Sequence, residues 1–281
     1  MNDLKWTQTQ IRRFKELEVN IKNFPACFST PTERNKLFQQ IEKQHVKIQK
    51  TKLSDFLTMG EKSHMQSLMD KLVITLNNQG FIQVTTPTII SKTALEKMTI
   101  DDNHPLSKQV YWINEKQCLR PMLAPNLYSL MVDFSRLNHR PIRFFEMGSC
   151  FRKESDGAKH NSEFTMLNIV EMGTQKENSD IRLKELAAII TSASGITDFE
   201  FESEKSNVYG TTLDVVAGHE NIELASGATG PHPLDTAWGI KDSWVGIGFG
   251  VERLLMTSSG DKTIGKWGKS LAYQNGIRLS I

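Results

Sequence analysis

The stretch Gly246-Ile-Gly-Phe-Gly-Val-Glu-Arg-Leu-Leu255 decides the fold of this chain, because its glycine-rich strand leads directly into a helix. The glycines are not spaced like the dinucleotide-binding fingerprint, but they let the backbone approach a ligand closely. Arg253 falls in the first turn of the predicted helix, where a cation is unfavourable unless an anion lies near it. We call residues 246–255 the third segment, and it predicts a site for a polyanion such as a triphosphate.

The second segment, residues 151–164, carries similar chemistry on a strand and a polar loop. Arg152 and Glu154 are two residues apart, so on a strand their side chains point to the same face. Burying both charges on one face costs free energy unless a ligand needs them. His160 in the loop and Phe164 on the returning strand complete a predicted clamp for a purine and its phosphates.

The first segment, residues 61–87, is a predicted amphipathic helix followed by a short strand. An apolar stripe follows the helix, and Gly80 is a natural residue to end it. The stripe consists of Met65, Leu68, Met69, Leu72 and Leu76. Residues 81–86 predict the strand, which Pro87 closes. Taken alone, this segment indicates only a helix–strand turn.

The rest of the chain predicts an α+β fold with a mainly antiparallel sheet, because most strands follow one another through short polar loops. Further strands are predicted at 110–113, 117–120, 142–152, 164–171, 212–216, 222–225 and 244–249. Further helices are predicted to begin at Pro125, Ser179 and Gly250. Near the start, Ile11, Phe14, Leu17, Ile21 and Phe24 have helical spacing and predict one amphipathic helix that Pro25 ends. A second helix there carries Leu37, Ile41 and Ile48.

Composition excludes several classes of protein. The 281 residues have a net charge of +2, with 38% hydrophobic and 23% charged residues, which is typical of a folded globular chain. Three cysteines without a Cys-x-x-Cys pair argue against a disulfide framework or a zinc knuckle. The sequence has neither a secretory leader nor a run of about 20 apolar residues, so we expect a cytoplasmic protein without membrane contact.

Positive charge is concentrated in residues 1–60, which contain eleven Lys and Arg against six Asp and Glu. Such a segment attached to a slightly acidic body suggests contact with a polyanion. A solvated helical face explains the same charges equally well, and charge alone does not separate the two interpretations.

In this order and spacing, the three segments resemble motifs 1, 2 and 3 of the class II aminoacyl-tRNA synthetases. The resemblance is closest to the pyrrolysyl-tRNA synthetase family, and it rests on the stretches 119–128, 151–157, 163–168 and 248–255. It implies the class II catalytic fold over residues 61–281, a mainly antiparallel sheet flanked by helices. Residues 1–60 would form a short basic helical region that contacts tRNA. This arrangement is similar to that of the compact subgroup that lacks a separate N-terminal tRNA-binding domain.

The resemblance also implies an activity and its partners. The enzyme would activate pyrrolysine, or a related Nε-acyl-lysine, with ATP and Mg²⁺ and transfer it to the amber-decoding pyrrolysine tRNA. It would act as a homodimer. Because the attacking carboxylate is already a nucleophile, this chemistry requires alignment and charge neutralisation more than a general base.

By similarity to the family, two arginines would be catalytic, Arg152 at the α-phosphate and Arg253 at the outer phosphates. The remaining ATP contacts would be Glu154, His160, Phe164, Glu223, Ser226 and Gly248, with Glu223 and Ser226 also holding the metal. The amino-acid pocket would be lined by Ala124, Leu127, Tyr128, Met131, Asn168, Val170, Tyr209, Ala228, Trp244 and Gly246. Asn168 would hydrogen-bond the side-chain amide of the substrate, and Tyr209 would close over it.

Other interpretations stay open. Val170 and Ala228 stand where longer family members commonly have cysteine and valine, so they bear on the fine side-chain preference and not on the reaction. Leu127 and Met131 lie one helical turn apart, a spacing that by itself favours ordinary core. The chain could instead be a class II ligase for another amino acid, or a paralogue that binds RNA without catalysis.

Overall fold

The structure is a computed structural model that describes residues 4–60, 62–137, 139–153, 161–218 and 221–279. The chain forms two compact units, Met1–Ser63 with Ser270–Ile281 and His64–Lys269. The α-helices are α1 (Gln8–Glu16), α2 (Pro31–Thr58), α3 (His64–Asn78), α4 (Lys92–Glu96), α5 (Ala124–Phe134), α6 (Ser179–Ala193), α7 (Asp235–Trp238) and α8 (Val251–Ser258). Among the described residues, we find no helix with the length and apolar character of a membrane span.

Most strands belong to the second unit. The strands are β1 (Leu4–Lys5), β2 (Cys27–Phe28), β3 (Ile82–Val84), β4 (Ile89–Ser91), β5 (Trp112–Asn114), β6 (Gln117–Leu119), β7 (Ile142–Phe151), β8 (Glu163–Met172), β9 (Phe199–Ser206), β10 (Gly210–Ala217), β11 (Ile222–Gly230), β12 (Trp244–Gly250), β13 (Tyr273–Gln274) and β14 (Ile277–Arg278). The main sheet has the order β3-β7-β8-β12-β11-β10-β9. Its neighbours run antiparallel except β3 and β7, which are parallel. The predicted α+β fold with a mainly antiparallel sheet is therefore confirmed.

The two faces of this sheet have different roles because side chains alternate along each strand. On one face, Leu167 and Ile169 of β8 and Ile247 of β12 pack with the apolar sides of α3, α6 and α8. On the opposite face, Val170 and Met172 join a second apolar cluster that includes α5. This second face also carries the large cavity described below.

The apolar stripe of α3 packs within its own chain. Leu68, Leu72 and Leu76 are buried in the first of these clusters, and Met65 and Met69 pack against it. Helix α3 begins at His64, three residues after the predicted start. The exposed large apolar residues near this segment lie instead outside the stripe, at Ile74 and Ile82.

The first unit has its own small core, built around Phe14, Leu17 and Ile41. The prediction of one helix through residues 11–24 was wrong, because α1 ends at Glu16. Glu18 has a φ of 58°, a left-handed conformation that a helix cannot continue through. Residues Ile21–Asn23 then form a separate 3₁₀ turn. Apolar spacing alone could not reveal this break, since both pieces contribute to the same core.

Among the elements that the sequence prediction missed are an edge strand and a short hairpin. Strand β9 lies at the edge of the sheet, and only its first half alternates apolar with polar residues, because Ser203 to Ser206 are all polar. The short hairpin of β13 and β14 belongs to the first unit, although it lies at the other end of the sequence. The predicted division into residues 1–60 and 61–281 places this hairpin in the second region. The roles assigned to those two regions stay a prediction.

Candidate active site

The second unit contains a cavity of about 480 Å³ between the sheet, α5 and the third segment. Of the eighteen residues implicated by resemblance, sixteen lie on its wall. These are Ala124, Leu127, Tyr128, Met131, Arg152, Phe164, Asn168, Val170, Tyr209, Glu223, Ser226, Ala228, Trp244, Gly246, Gly248 and Arg253. The other two, Glu154 and His160, lie outside the described residues. One cavity thus brings together residues that are more than a hundred positions apart in sequence.

Two glycines of β12 form the floor of this cavity. Gly246 is paired with Val170 on one side and Ala228 on the other, and Gly248 lies between Asn168 and Ser226. A Cβ atom on Gly248 would lie 2.9 Å from Oδ1 of Asn168, which is closer than such atoms approach. Any side chain at 248 would therefore have to displace the amide of Asn168. The sequence prediction had assigned these glycines only to approach by a ligand.

At one end of the cavity, which we call the phosphate end, two arginines are held by main-chain carbonyls. Nε of Arg152 donates to the Pro121 carbonyl at 2.9 Å, and its guanidinium lies 5.3 Å from the centre of the Phe164 ring. Nη1 of Arg253 donates to the Glu223 carbonyl at 2.9 Å and lies 3.5 Å from the carboxylate of the same residue. These contacts fix both cations before any ligand arrives, which is the arrangement that stabilises developing negative charge.

The phosphate end also offers oxygen atoms to a divalent cation. The hydroxyl of Ser226 donates to Oδ1 of the buried Asp214 at 2.6 Å. Because its proton is engaged there, the lone pairs of the Ser226 oxygen can accept or coordinate. With the Glu223 carboxylate this gives the hard oxygen donors that Mg²⁺ prefers. Across the part of the chain that the structure describes, no cluster of three or more His, Cys, Asp or Glu side chains could hold a metal by itself.

The opposite end, the amino-acid end, has apolar walls. Helix α5 contributes Leu127, Tyr128 and Met131, each at most 3% exposed. All three belong to the apolar cluster on this face of the sheet and also line the cavity. For Leu127 and Met131, the choice between core and pocket was therefore not a real alternative, because they are both.

Two buried polar atoms at the amino-acid end lack a hydrogen-bond partner among the residues that the structure describes. Oδ1 of Asn168 and the hydroxyl of Tyr128 are both buried, and neither has a hydrogen-bond partner among the described residues. Burial, with Tyr209 and Asp235 nearby, raises the pKa of Tyr128, and burial also raises that of Tyr209. Both phenols therefore stay protonated and can donate.

Asp235 and Trp244 close the far side of this end. Nε1 of Trp244 donates to both carboxylate oxygens of Asp235, at 3.0 and 3.1 Å. Asp235 is 3% exposed, and it also accepts from the backbone N–H of His232. This carboxylate fixes the Trp244 ring, and sequence reasoning did not find it.

Sequence reasoning also missed a buried ion pair behind Arg152. Arg120 and Glu146 are 4% and 1% exposed, and their side chains meet at 2.7 Å. Nε of Arg120 also donates to the Ser149 carbonyl, and the Arg120 carbonyl accepts from Phe151. The pair and these bonds thus tie Arg120, the residue before the Pro121 carbonyl that holds Arg152, to β7. Nothing in the sequence connects two charges that lie 26 positions apart.

Comparison with known proteins agrees with this geometry. Residues 46–267 match the family model for the tRNA synthetases class II core domain. A crystal structure of pyrrolysyl-tRNA synthetase from Desulfitobacterium hafniense is similar, with 48% identity, 99% of each chain covered and a TM-score of 0.89. The chain belongs to the pyrrolysyl-tRNA synthetases, within class II. As an aminoacyl-tRNA synthetase it is a ligase of protein biosynthesis, and class II synthetases use ATP as a substrate.

Two further relatives of this synthetase differ in how much they share with it. A second structure of the Desulfitobacterium hafniense pyrrolysyl-tRNA synthetase has 47% identity and a TM-score of 0.87, covering 99% of this chain and 96% of that one. The phenylalanine--tRNA ligase alpha subunit of Ureaplasma urealyticum serovar 10 is 24% identical over 124 residues. That match spans 43% of this chain and only 36% of the relative.

Proposed function

We propose that this synthetase activates pyrrolysine, or a related Nε-acyl-lysine, and esterifies it to the pyrrolysine tRNA. In the first step a carboxylate oxygen of the amino acid attacks the α-phosphorus of ATP, and the bond to the β-phosphate oxygen breaks to release pyrophosphate. In the second step a ribose hydroxyl of the tRNA attacks the acyl carbon and AMP leaves. We place the reaction in the cytoplasm, where tRNA is charged.

The observation that carries the substrate assignment is the side chain of Asn168. Its Oδ1 is buried without a hydrogen-bond partner among the described residues, and it lies on the cavity wall beside apolar neighbours. An unpaired buried amide oxygen costs about 1–3 kcal/mol, so a ligand that supplies a donor is favoured there. The Nε-acyl amide of the substrate carries such an N–H group, whereas a purely apolar amino acid does not.

The contacts at the phosphate end support the nucleotide part of the proposal. Arg152 neutralises the charge that grows at the α-phosphate, and Arg253 meets the outer phosphates. Phe164, which already lies against the Arg152 guanidinium, provides a face for the adenine ring. Glu154 and His160 keep their roles as sequence predictions, because they lie outside the described residues.

A magnesium ion fits the oxygen donors at this end. Glu223 and Ser226 would hold it, and Asp214 would orient the Ser226 hydroxyl. Two protein ligands are consistent with Mg²⁺, which usually keeps waters and substrate phosphates in its coordination sphere. When bound, the ion would neutralise phosphate charge.

Exposed lysines in the first unit support a contact with tRNA. Exposed isoleucines in the first segment, residues 61–87, support a homodimer. Along α2, the side chains of Lys36, Lys43, Lys47 and Lys50 are exposed, as phosphate contacts must be. Ile74 and Ile82 are 60% and 69% exposed, and a second copy packed against this segment would bury both.

Pyrophosphate exchange with ATP tests the proposal. We expect Nε-acyl-lysines to drive exchange, whereas lysine and phenylalanine do so at least about tenfold less well, because neither offers an amide to Asn168. Charging of the pyrrolysine tRNA with the same amino acids would complete the test. Exchange driven better by phenylalanine would contradict the assignment. Exchange with no amino acid, together with retained tRNA binding, would favour the paralogue without catalysis.

A further inference from the structure

The tripeptide His-Pro-Leu occurs twice in the chain, at 104–106 and at 232–234. In both copies Nδ1 of the histidine accepts a hydrogen bond from the backbone N–H of the leucine, at 3.1 Å and 3.2 Å. The intervening proline has no N–H, so the leucine provides the first backbone donor after each histidine. Each imidazole therefore caps its own turn through Nδ1.

These bonds determine the protonation of the other ring nitrogen. A backbone N–H can only donate, so Nδ1 of each histidine is the acceptor, and in a neutral ring Nε2 then carries the proton. Nε2 of His104 lies 3.2 Å from the Asn207 carbonyl, and Nε2 of His232 lies 3.0 Å from the Tyr209 carbonyl. Both carbonyls can only accept. Both histidines thus donate to the same turn from different parts of the chain.

That turn, residues 206–209, joins β9 to β10 and forms part of the cavity wall. Inside it, the backbone N–H groups of Val208 and Tyr209 both donate to the hydroxyl of Ser206. The Tyr209 ring packs edge-on against the His232 ring, with their centres 5.5 Å apart. Within the second apolar cluster, Val208 and Tyr209 pack against the group that contains Tyr128. The turn is therefore tied to two outside points at the amino-acid end.

We propose that His104 and His232 are positioning residues, which hold the 206–209 turn so that Tyr209 covers the side chain of the bound amino acid. This inference rests on the proposed function for the role of Tyr209 as a substrate contact. Each histidine acts through a main-chain carbonyl of the turn. His104 also lies on the cavity wall, whereas His232 is not among the lining residues, so hydrogen exchange measured without substrate is needed beside the KM. Among the described residues, the hydrogen bonds of Ser226 and Arg253 do not involve this turn, so the effect should be confined to the amino acid.

A simpler role, in which each histidine only caps its own His-Pro-Leu turn, is separated by substitution with asparagine. The Oδ1 atom of asparagine can take the place of Nδ1 and accept from the leucine N–H. Asparagine is too short to replace Nε2, so the link to the 206–209 turn is lost. The variants His104→Asn and His232→Asn therefore keep the cap and remove the anchor.

Two measurements on these variants test the proposal. Losing a hydrogen bond of ordinary strength should raise the KM for the amino acid in pyrophosphate exchange by about 3- to 10-fold, with the KM for ATP changed less than about twofold. In the absence of substrates, backbone hydrogen exchange in peptides covering residues 204–212 should become about 3- to 10-fold faster. His139→Asn, an exposed histidine in another loop, serves as the matched control and should change neither value.

A double substitution adds a stricter criterion. If His232 acts through Tyr209, then His232→Asn in a Tyr209→Ala background should raise the KM for the amino acid by less than about twofold further. Full additivity would overturn the proposal, because it would mean that His232 acts by another route. Equal increases in the two KM values would also overturn it.

Hydrogen exchange keeps this inference distinct from the proposed function. If backbone hydrogen exchange in residues 204–212 is unchanged in both variants, the anchoring is overturned, whatever the substrate. If an amino acid without an Nε-acyl group drives catalysis, the proposed function fails. Faster hydrogen exchange together with a selective rise in the KM for that amino acid would then still support the anchoring. An unaltered KM for that amino acid would overturn it.

Discussion

The two ends of the cavity are built from different kinds of contact. At the phosphate end, Arg152 and Arg253 are fixed by backbone carbonyls, and both belong to the cavity wall. At the amino-acid end, the walls are side chains that also belong to the apolar core, such as Leu127 and Met131. A substitution at the phosphate end should therefore change chemistry and leave the fold intact. At the amino-acid end, stability and substrate choice are coupled.

The largest effect that tests this comparison is expected at Arg152. Removing one preorganised contact to developing charge typically costs about 10²–10³ in rate, so Arg152→Ala should lower pyrophosphate exchange by that factor. Its melting temperature should remain near that of the wild type, because the guanidinium is not buried in the core. Arg136→Ala is the control, since Arg136 is 74% exposed and lies just after the end of α5. Near-normal pyrophosphate exchange in Arg152→Ala would contradict the catalytic role proposed for the phosphate end.

Asn168 should give a smaller effect, and one that depends on the substrate. Replacing its amide with Ala should cost about 1–3 kcal/mol, roughly 5- to 150-fold in kcat/KM, for an Nε-acyl-lysine. The vacated space should also admit bulky aromatic amino acids, which make no such hydrogen bond. The quantity to compare is therefore the ratio of kcat/KM for the two substrates.

A second asparagine provides the control for that experiment. The amide of Asn126 on α5 already donates to Thr86 and to the Pro87 carbonyl, at 2.6 Å and 2.7 Å. Asn126→Ala should lower stability and leave the substrate ratio unchanged. If Asn168→Ala behaves in the same way, its amide is structural, and the assignment of pyrrolysine loses its main physical support.

The same contrast explains how much of the molecule could be predicted from its sequence. Charges placed at the end of a strand or at the start of a helix, as in Arg152 and Arg253, are not explained by local structure, so they point to a ligand. Apolar walls carry no such signal, and only the resemblance to a family separated Leu127 from ordinary core. The anchors His104 and His232 depend on contacts between distant parts of the chain, which no local pattern contains.

The sequence prediction also failed where a feature depends on main-chain geometry. The break after α1 depends on the left-handed conformation of Glu18, a residue with no strong preference for it. The buried pair of Arg120 and Glu146 depends on the register of β7 beside the end of β6. Both features follow from tertiary packing, whereas the periodicity of α2, α3 and α6 is a local property and was predicted well.

The smallest expected effect concerns two buried glutamates near the two ends of β8, Glu171 in the strand itself and Glu252 of α8 beside Thr165. Burial raises the pKa of Glu252 above its usual range, although both carboxylate oxygens accept from the Thr165 N–H. Burial also opposes ionisation of Glu171, but hydrogen bonds from Arg182 and Arg143 outweigh it and lower the pKa of that carboxyl. Ionisation of the two groups should therefore change stability in opposite directions.

The signs follow from proton binding. Glu252 binds its proton more tightly in the folded state, so its contribution is fully present below the unfolded pKa of about 4.3 and is lost as the pH rises through the folded pKa. Glu171 contributes above about pH 4.3, and this is lost as the pH falls through its lowered pKa. Denaturant unfolding of Glu252→Gln and Glu171→Gln across a series of pH values isolates each group by difference from the wild type. With rising pH, the Glu252 variant should gain stability relative to the wild type, and the Glu171 variant should lose it. Parallel slopes would mean that the two carboxyl groups share one environment, and that the arginine contacts at Glu171 do not govern its ionisation.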